Sequence, residues 1–340
     1  MAITGHWSSL AEAQKLVQDV LLAGVVEEII EEGQLVSLLP VFSIEGKSVK
    51  YNRESVLPSA DFYDINEQIP WTSDVEYTAQ VTVELKRVLR QDALDKFMAS
   101  TYKTPNDYRS IVISGLSKGC LRTIEDKFIY GDKDNVNAKE FDGLHHLASP
   151  SVTDLDITQT GALSLMNIRK MLDAMKVSQV GRGRTILLMP HEIARRIDAY
   201  VQEAGMTSWV GPASIVFAPN ELGQRVTYFD GIPIIRSDYL VAEQVATGLT
   251  AASARAKYSS GTKYYSIFGV RFGQVMEGGV CMAFSGDGGG AGDFFGIEFF
   301  DKLENFDAEG IRLKAYCALA LGSTKSIGRI TDITDAAVVA

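Results

Sequence analysis

The stretch that most constrains this chain lies at residues 104–143. Tyr108, Ile111, Val112, Leu116, Cys120, Leu121, Ile124 and Phe128 recur at spacings of three and four, with Arg109, Lys118, Arg122, Asp126 and Lys127 between them. That is the pattern of a helix with one apolar stripe. Thr104-Pro105-Asn106-Asp107 supplies its start: a threonine oxygen for an unpaired N–H, a proline where a missing N–H costs nothing, and a carboxylate in the first turn. Gly131 supplies the stop. A helix over 105–130 makes a rod of about 40 Å, long enough to cross a whole domain. A loop rich in Gly, Asp and Asn follows, and Phe141-Asp142-Gly143-Leu144 reads as the short connection into the next layer.

A second pattern is a ribbon. Val75, Tyr77, Ala79, Val81, Val83 and Leu85 alternate with Glu76, Thr78, Gln80, Thr82, Glu84 and Lys86, giving a strand of about a dozen residues with one apolar face, roughly twice the usual length. Its partner is expected at 48–56, and the intervening residues 57–74 hold Phe62, Tyr63, Ile69 and Trp71. A two-stranded ribbon cannot cover its own apolar face, so a core or another subunit must do so. Aromatic residues at the tip favour a second subunit. Before the ribbon, Leu10, Ala13, Leu16, Val17, Val20, Leu21 and Val25 predict a helix over 9–32, preceded by an arm with Trp7. This is either a first core helix or an arm that packs on a neighbour. The candidate inter-subunit contacts are Trp7, Phe62, Tyr63, Ile69, Trp71, Val75, Tyr77 and Val81.

Beyond the long helix the sequence predicts a helix over 160–177, a buried strand over 184–189 and a helix opened by Pro190 that runs to Gly205. Strands at 226–229 and 232–235 flank Asp230-Gly231, a strong hairpin signal. Further strands are expected at 263–270, 280–284, 294–300 and 311–321, and the tail after Gly322 is small, polar and weakly patterned. Strand, helix and strand make a mixed α/β region here, with no internal repeat, in a chain expected to be α+β as a whole.

Composition bounds the functions. With 46% hydrophobic residues the chain can bury a substantial core, and its net charge of −10 leaves no overall basic field for phosphates. The basic pairs Arg182 with Arg184 and Arg195 with Arg196 read as solvated faces. The three cysteines, Cys120, Cys281 and Cys317, have no paired spacing, fit a reducing compartment and read as buried, inert thiols. The richest early apolar run, residues 20–26, ends at Glu27 and Glu28, too short for a membrane span, and it lacks the basic start of a secretion signal. The chain is therefore expected to be made in a cytoplasm and to stay there unless a larger particle carries it out.

Each candidate chemical motif has a plainer reading. Gly286-Asp287-Gly288-Gly289-Gly290-Ala291-Gly292 has the spacing of a dinucleotide-binding turn, but the strand pattern behind it offers no helix N-terminus for a pyrophosphate, so it is expected to be a mobile loop. His145-His146 is the only histidine pair; adjacent side chains do not share a face, and no Glu, Asp or Cys is read at ligand spacing from them. Asp132-Lys133-Asp134-Asn135 resembles part of a calcium loop without its central glycine and closing glutamate. Gly115-Leu116-Ser117-Lys118-Gly119 has the Gly-x-Ser-x-Gly spacing but falls inside the expected long helix and not on a strand-to-helix turn, so no nucleophile elbow supports a Ser-His-Asp triad. The expectation is a protein that is not an enzyme, with no catalytic residues, cofactor or metal.

The order of these parts resembles the major capsid proteins of tailed bacteriophages, whose shared fold is the Hong Kong ninety-seven, or Johnson, fold. The likeness rests on residues 116–132, on Phe141-Asp142-Gly143-Leu144, on Met189-Pro190-His191 opening a helix, and on Phe229-Asp230-Gly231-Ile232-Pro233-Ile234-Ile235. It continues through Glu304-Asn305-Phe306 into Ala318-Leu319-Ala320-Leu321. The resemblance implies an N-terminal arm (1–43), an extended loop (44–90), a peripheral domain (91–158 and 286–340, with the spine helix at 105–130) and an axial domain (159–285) to which the last residues could return. It further implies self-assembly into hexamers and pentamers, an icosahedral head around double-stranded DNA held without sequence-specific contacts, assembly in the host cytoplasm, location in the virion, and no membrane partner. Separate scaffolding, portal and decoration proteins are the further partners it suggests.

Two departures carry expectations. The arm begins almost at Met1, which implies a separate scaffold or none, where some relatives carry a removable scaffolding segment. Some relatives also join subunits by a Lys–Asn bond assisted by Glu; the matching late positions here hold Glu309 and Tyr316, and the loop tip at 57–74 has no lysine, so a non-covalent shell is expected. The alternatives are an encapsulin-like nanocompartment of the same fold that packages an enzyme, and a soluble α/β enzyme using the 286–292 loop.

Overall fold

The computed structural model describes residues 35–53, 60–69, 79–97, 108–134, 137–148, 154–176, 184–203, 215–219, 225–245, 255–285, 295–304 and 306–339. The expected helix at 9–32, the 286–292 loop and the start of the long helix at 104–107 lie outside the described residues. In chain order the elements begin α1 (Leu35–Leu38), β1 (Val41–Ile44), β2 (Ser48–Arg53), β3 (Ala79–Glu84), β4 (Lys86–Asp95), α2 (Tyr108–Tyr130) and α3 (Leu144–Leu147). They continue β5 (Asp156–Gly161), α4 (Leu165–Ala174), β6 (Thr185–Met189), α5 (His191–Glu203), β7 (Ile215–Pro219), β8 (Arg225–Phe229) and β9 (Ile232–Arg236). The last are β10 (Glu243–Val245), β11 (Arg255–Lys257), β12 (Tyr265–Arg271), β13 (Val280–Ser285), β14 (Gly296–Phe300), β15 (Ala308–Leu321) and β16 (Ile327–Ile333).

The long helix finds the broad surface it needs. Strand β15 is 14 residues long and pairs with β4, β13 and β14 in a five-stranded sheet completed by β1. Leu116 and Cys120 of α2 pack on Leu94, Ile311 and Leu313 of this sheet, and the helix ends where the chain crosses itself at two glycines. Gly131 N–H donates to Lys127 O at 2.9 Å and Gly143 N–H donates to Gly131 O at 2.8 Å. A Cβ on Gly143 would lie 2.6 Å from Lys127 O, so only glycine fits.

The second sheet has seven strands in the order β5-β16-β12-β6-β9-β8-β7. All five residues of β6 are buried, as a continuous apolar run covered on both faces must be. One face carries α4 and α5 through Ile168, Met171, Ile193 and Ile197. The other face joins the long helix and the five-stranded sheet in one core containing Phe128, Leu144, Phe268, Met282 and Leu319. The Asp230-Gly231 turn has φ of 48° and 80°, the positive pair that a two-residue hairpin of this twist requires.

Three expectations change. Residues 86–90, taken with the ribbon, belong to β4: the ladder partner switches at Leu85, and Lys86 to Asp95 face β15 in ten consecutive pairs. The helix expected from residue 160 starts at Leu165, because β5 precedes it as an edge strand pairing parallel with β16. The weakly patterned tail forms a core strand: β16 lies inside the seven-stranded sheet between β5 and β12, with Ile327, Ile330 and Ile333 fully buried.

Candidate assembly surface

The ribbon divides into an anchored base and an exposed tip. In its register Val49 faces Val83 and Tyr51 faces Val81, which puts these residues and Arg53 on one side of the ribbon. That side is turned to the subunit's own five-stranded sheet. The Tyr51 hydroxyl donates to Leu321 O at 2.6 Å, and Arg53 donates through Nε to Gly322 O at 3.0 Å and through a second guanidinium nitrogen to Leu321 O. Burial pushes the Tyr51 hydroxyl above its ordinary value, against the neighbouring Arg53 charge, so the phenol stays a neutral donor. Beneath lies a crevice of about 170 Å³ lined by Val81, Val83, Phe141, Leu319 and Leu321.

The tip has no such cover among the described residues. Phe62 is fully exposed, Ile65 is 89% and Ile69 62% exposed, and Tyr63 is also on the surface. Local bonds shape it: the N–H of Asp64 donates to Glu67 Oε2 and that of Ile65 to Asp64 Oδ1, both at 2.8 Å, around Asn66 with φ 71°. The structure thus brings Phe62, Tyr63 and Ile69 together on one exposed segment and separates them from Val81. Val81 lines the crevice of its own subunit because Arg53 and Tyr51 tie the ribbon base down. Trp7, Trp71, Val75 and Tyr77 lie outside the described residues.

A complementary surface exists on the outer part of the five-stranded sheet. Glu298 on β14 meets Lys314 Nζ at 2.7 Å, and this hydrogen bond to Lys314 holds its carboxyl below the ordinary value. Arg312 lies 4.7 Å above the Phe300 ring and Arg109 4.5 Å above that of Phe299. Leu89, Ile297 and Phe299 remain substantially exposed. Glu298, Phe300, Arg312, Lys314 and Leu89 share one face of this sheet, a surface of mixed charged and apolar character, while Ile297 and Phe299 alternate onto the face that carries α2.

One cluster runs against the sequence reading. Asp132, Asp142 and His146 converge with ligand atoms within 4.8 Å of one another, because the glycine crossing places Asp132 beside α3 while Asp142 lies four residues before His146. Lys133 Nζ sits 3.1 Å from Asp142 and His146 Nδ1 3.3 Å from Asp132, so the carboxylates already meet an ammonium and an imidazole that staple the turn. The carboxylate at four-residue spacing from His146 was the available signal. His145, by contrast, is buried in a polar network around Glu243, which nothing local in the sequence indicates.

No protein-family model and no curated protein matches this sequence. Solved structures do match over nearly the whole chain. The encapsulin of the holo-SrpI complex from Synechococcus elongatus PCC 7942 aligns with a TM-score of 0.68 at 14% identity, covering 97% of both chains. The capsid of an empty GTA particle aligns at 0.61 and 9% identity, covering 96% of this chain and 98% of the other. The structure titled Mycobacterium phage Adephagia aligns at 0.55 and 14% identity, covering 95% and 97%. The chain has the shell-protein fold that these structures share, the Hong Kong ninety-seven fold, in its α+β form with ribbon, long helix and two sheets. The SrpI encapsulin and the GTA capsid are both shell structures.

Proposed function

We propose that this chain is a major capsid protein, the self-assembling subunit of a tailed-phage head. In this reading hexamers and pentamers close into an icosahedral shell around double-stranded DNA. The observation that carries the reading is the divided ribbon: its base is bonded to its own subunit, and its tip holds Phe62, Ile65 and Ile69 in water. Such a tip is stable once a neighbouring copy covers it, and the mixed surface around Glu298, Arg312 and Lys314 offers a cover. The five-stranded sheet with α2 then acts as the peripheral part, and the seven-stranded sheet, β16 included, as the axial part. Scaffolding, portal and decoration proteins are further partners, and the virion is the final location after assembly in the host cytoplasm.

A second reading is a nanocompartment that packages protein, favoured by the higher TM-score of the encapsulin match. One purification separates the two. Electron microscopy of the assembled fraction is expected to show uniform hollow or filled icosahedra, with nuclease-protected DNA for a phage head and a co-purifying enzyme for a nanocompartment. Subunit-sized particles at high concentration overturn both.

A further inference from the structure

We propose that Glu243 is a positioning residue of the shell: the buried network around it fixes the angle between the long-helix layer and the seven-stranded sheet, and thereby the curvature at which subunits close. This rests on the shell reading above. Glu243 is 1% exposed on β10, and all its polar contacts come from other elements. Its Oε1 accepts from the Tyr130 hydroxyl at 2.9 Å and lies 3.0 Å from His145 Nε2; its Oε2 accepts from the Ser266 hydroxyl at 2.5 Å. Tyr130 is the last residue of α2, His145 belongs to α3, and Ser266 lies on β12. The network continues through Arg329 on β16, which donates to His145 O at 3.0 Å and makes two 2.7 Å bonds to Asp156 on β5. Tyr130 stacks on His145 with ring centroids 5.4 Å apart, and His145 meets the Phe268 ring edge-on at 4.7 Å.

The apolar core between the two layers cannot do this job alone. Hydrophobic burial has no direction, so a core of Leu, Ile and Phe tolerates small tilts of one layer over the other at little cost. Bonds of this length do not, and each buried group left unpaired by a tilt is costly. Buried ionic groups are poor sources of net stability compared with apolar residues of the same size; what they supply is one geometry in place of several. Here that geometry joins the end of the long helix to three strands of the other sheet and to its own strand, where Glu243 N–H donates to Tyr264 O at 2.7 Å. Hexamers and pentamers of one chain close into a shell of one size only if the subunit's shape varies within narrow limits, so a spread in the angle becomes a spread in where the shell closes.

The test uses the full chain and two variants. Tyr130→Phe removes the hydroxyl that ties α2 to Glu243 and that also accepts from the Val241 N–H at 3.3 Å, and Glu243→Gln keeps the shape while removing the charge. Spin labels introduced through Ser114→Cys on α2 and Gln202→Cys on α5 report the distance between the layers. Shell diameters are measured by electron microscopy, and circular dichroism confirms folding. The expected result is one narrow distance and one size class for the parent, with a broadened distance and loss of the single size class in both variants. Folded variants that keep the narrow distance and the parental diameter overturn the proposal. Should Glu243→Gln not fold, Tyr130→Phe carries the test. A parent that forms no shell sinks the shell reading, while the distance measurement still judges the joint.

Discussion

Gly131 and Gly143 show how little room one residue can have. A Cβ on Gly143 meets Lys127 O, Gly131 N and Ile129 O, all within 2.9 Å and all backbone, so no side chain can swing aside. Gly143→Ala is expected to cost about 1–3 kcal/mol, read as a lower denaturation midpoint, while Gly115→Ala, in the interior of α2 with open space at its Cβ, should raise the midpoint by the equivalent of about 0.5–1 kcal/mol. Glu243 makes a prediction about acid. Burial alone raises its carboxyl, but the His145 charge and the hydrogen bonds from His145, Ser266 and Tyr130 outweigh burial and hold it below its ordinary value of 4.5. A lowered value means that the group's stabilisation is complete above the ordinary carboxylate range and is lost as pH falls through the folded-state value. Melting temperature measured from pH 7 down to the acid limit should therefore fall more steeply in the parent than in Glu243→Gln at the acid end; parallel curves would refute this. The thiols need no such profile. Burial pushes Cys317 up to about 12 and Cys281 up to about 11, and all three cysteines are free and buried, so alkylating reagents at neutral pH should label the native protein negligibly.

At the scale of elements, what could be read in the sequence was what is local. The stripe of α2, the Asp230-Gly231 hairpin and the buried run of β6 each carry their cause within a few neighbours, and each is where the spacing put it. Strand β16 carries its cause elsewhere. Arg329 and Asp332 give Ile327–Ile333 a polar look, yet Arg329 is neutralised by Asp156 on the neighbouring strand, 173 residues away in sequence, and Asp332 by Arg255. The same applies at Leu85, where one alternating pattern runs on while its partner changes from β2 to β15. Periodicity reports a strand and its faces, not which strand lies beside it. The exposed tip was legible because Phe62, Tyr63 and Ile69 sit between turn residues; the Glu243 network was not, because its members are scattered from Tyr130 to Arg329. The ribbon's division predicts two distinct phenotypes. Arg53→Ala removes charged hydrogen bonds to the Leu321 and Gly322 carbonyls, and hydrogen exchange in β2 and β3 should speed up by the equivalent of about 1.5–3 kcal/mol with the core of β15 unaffected. Phe62→Asp with Ile69→Asp should do the reverse, leaving the subunit's melting within about 0.5 kcal/mol of the parent and abolishing assembly.

For the whole molecule, the proposed shell depends on the balance of contact energy between copies. Phe62, Ile65 and Ile69 are the large apolar residues of the described tip, and burying each fully is worth about 1.5–3 kcal/mol, so one tip supplies roughly 5–9 kcal/mol. Bringing two subunits together costs an amount of the same order, so a single tip on a single neighbour is close to neutral. Stability must then come from many such contacts closing together, where each later contact forms at high effective concentration. A covalent bond between subunits would remove this dependence, but residues 60–69 contain no lysine to form one, and the late positions hold Glu309, opposite Leu94, and Tyr316, opposite Arg87. Assembled material boiled in detergent is therefore expected to run as a single band at the 37.1 kDa of one chain, and native shells should come apart cooperatively at denaturant concentrations below those that unfold the subunit. A ladder of multiples on the gel, or dissociation that coincides with unfolding, would mean that something other than the tip holds the copies together.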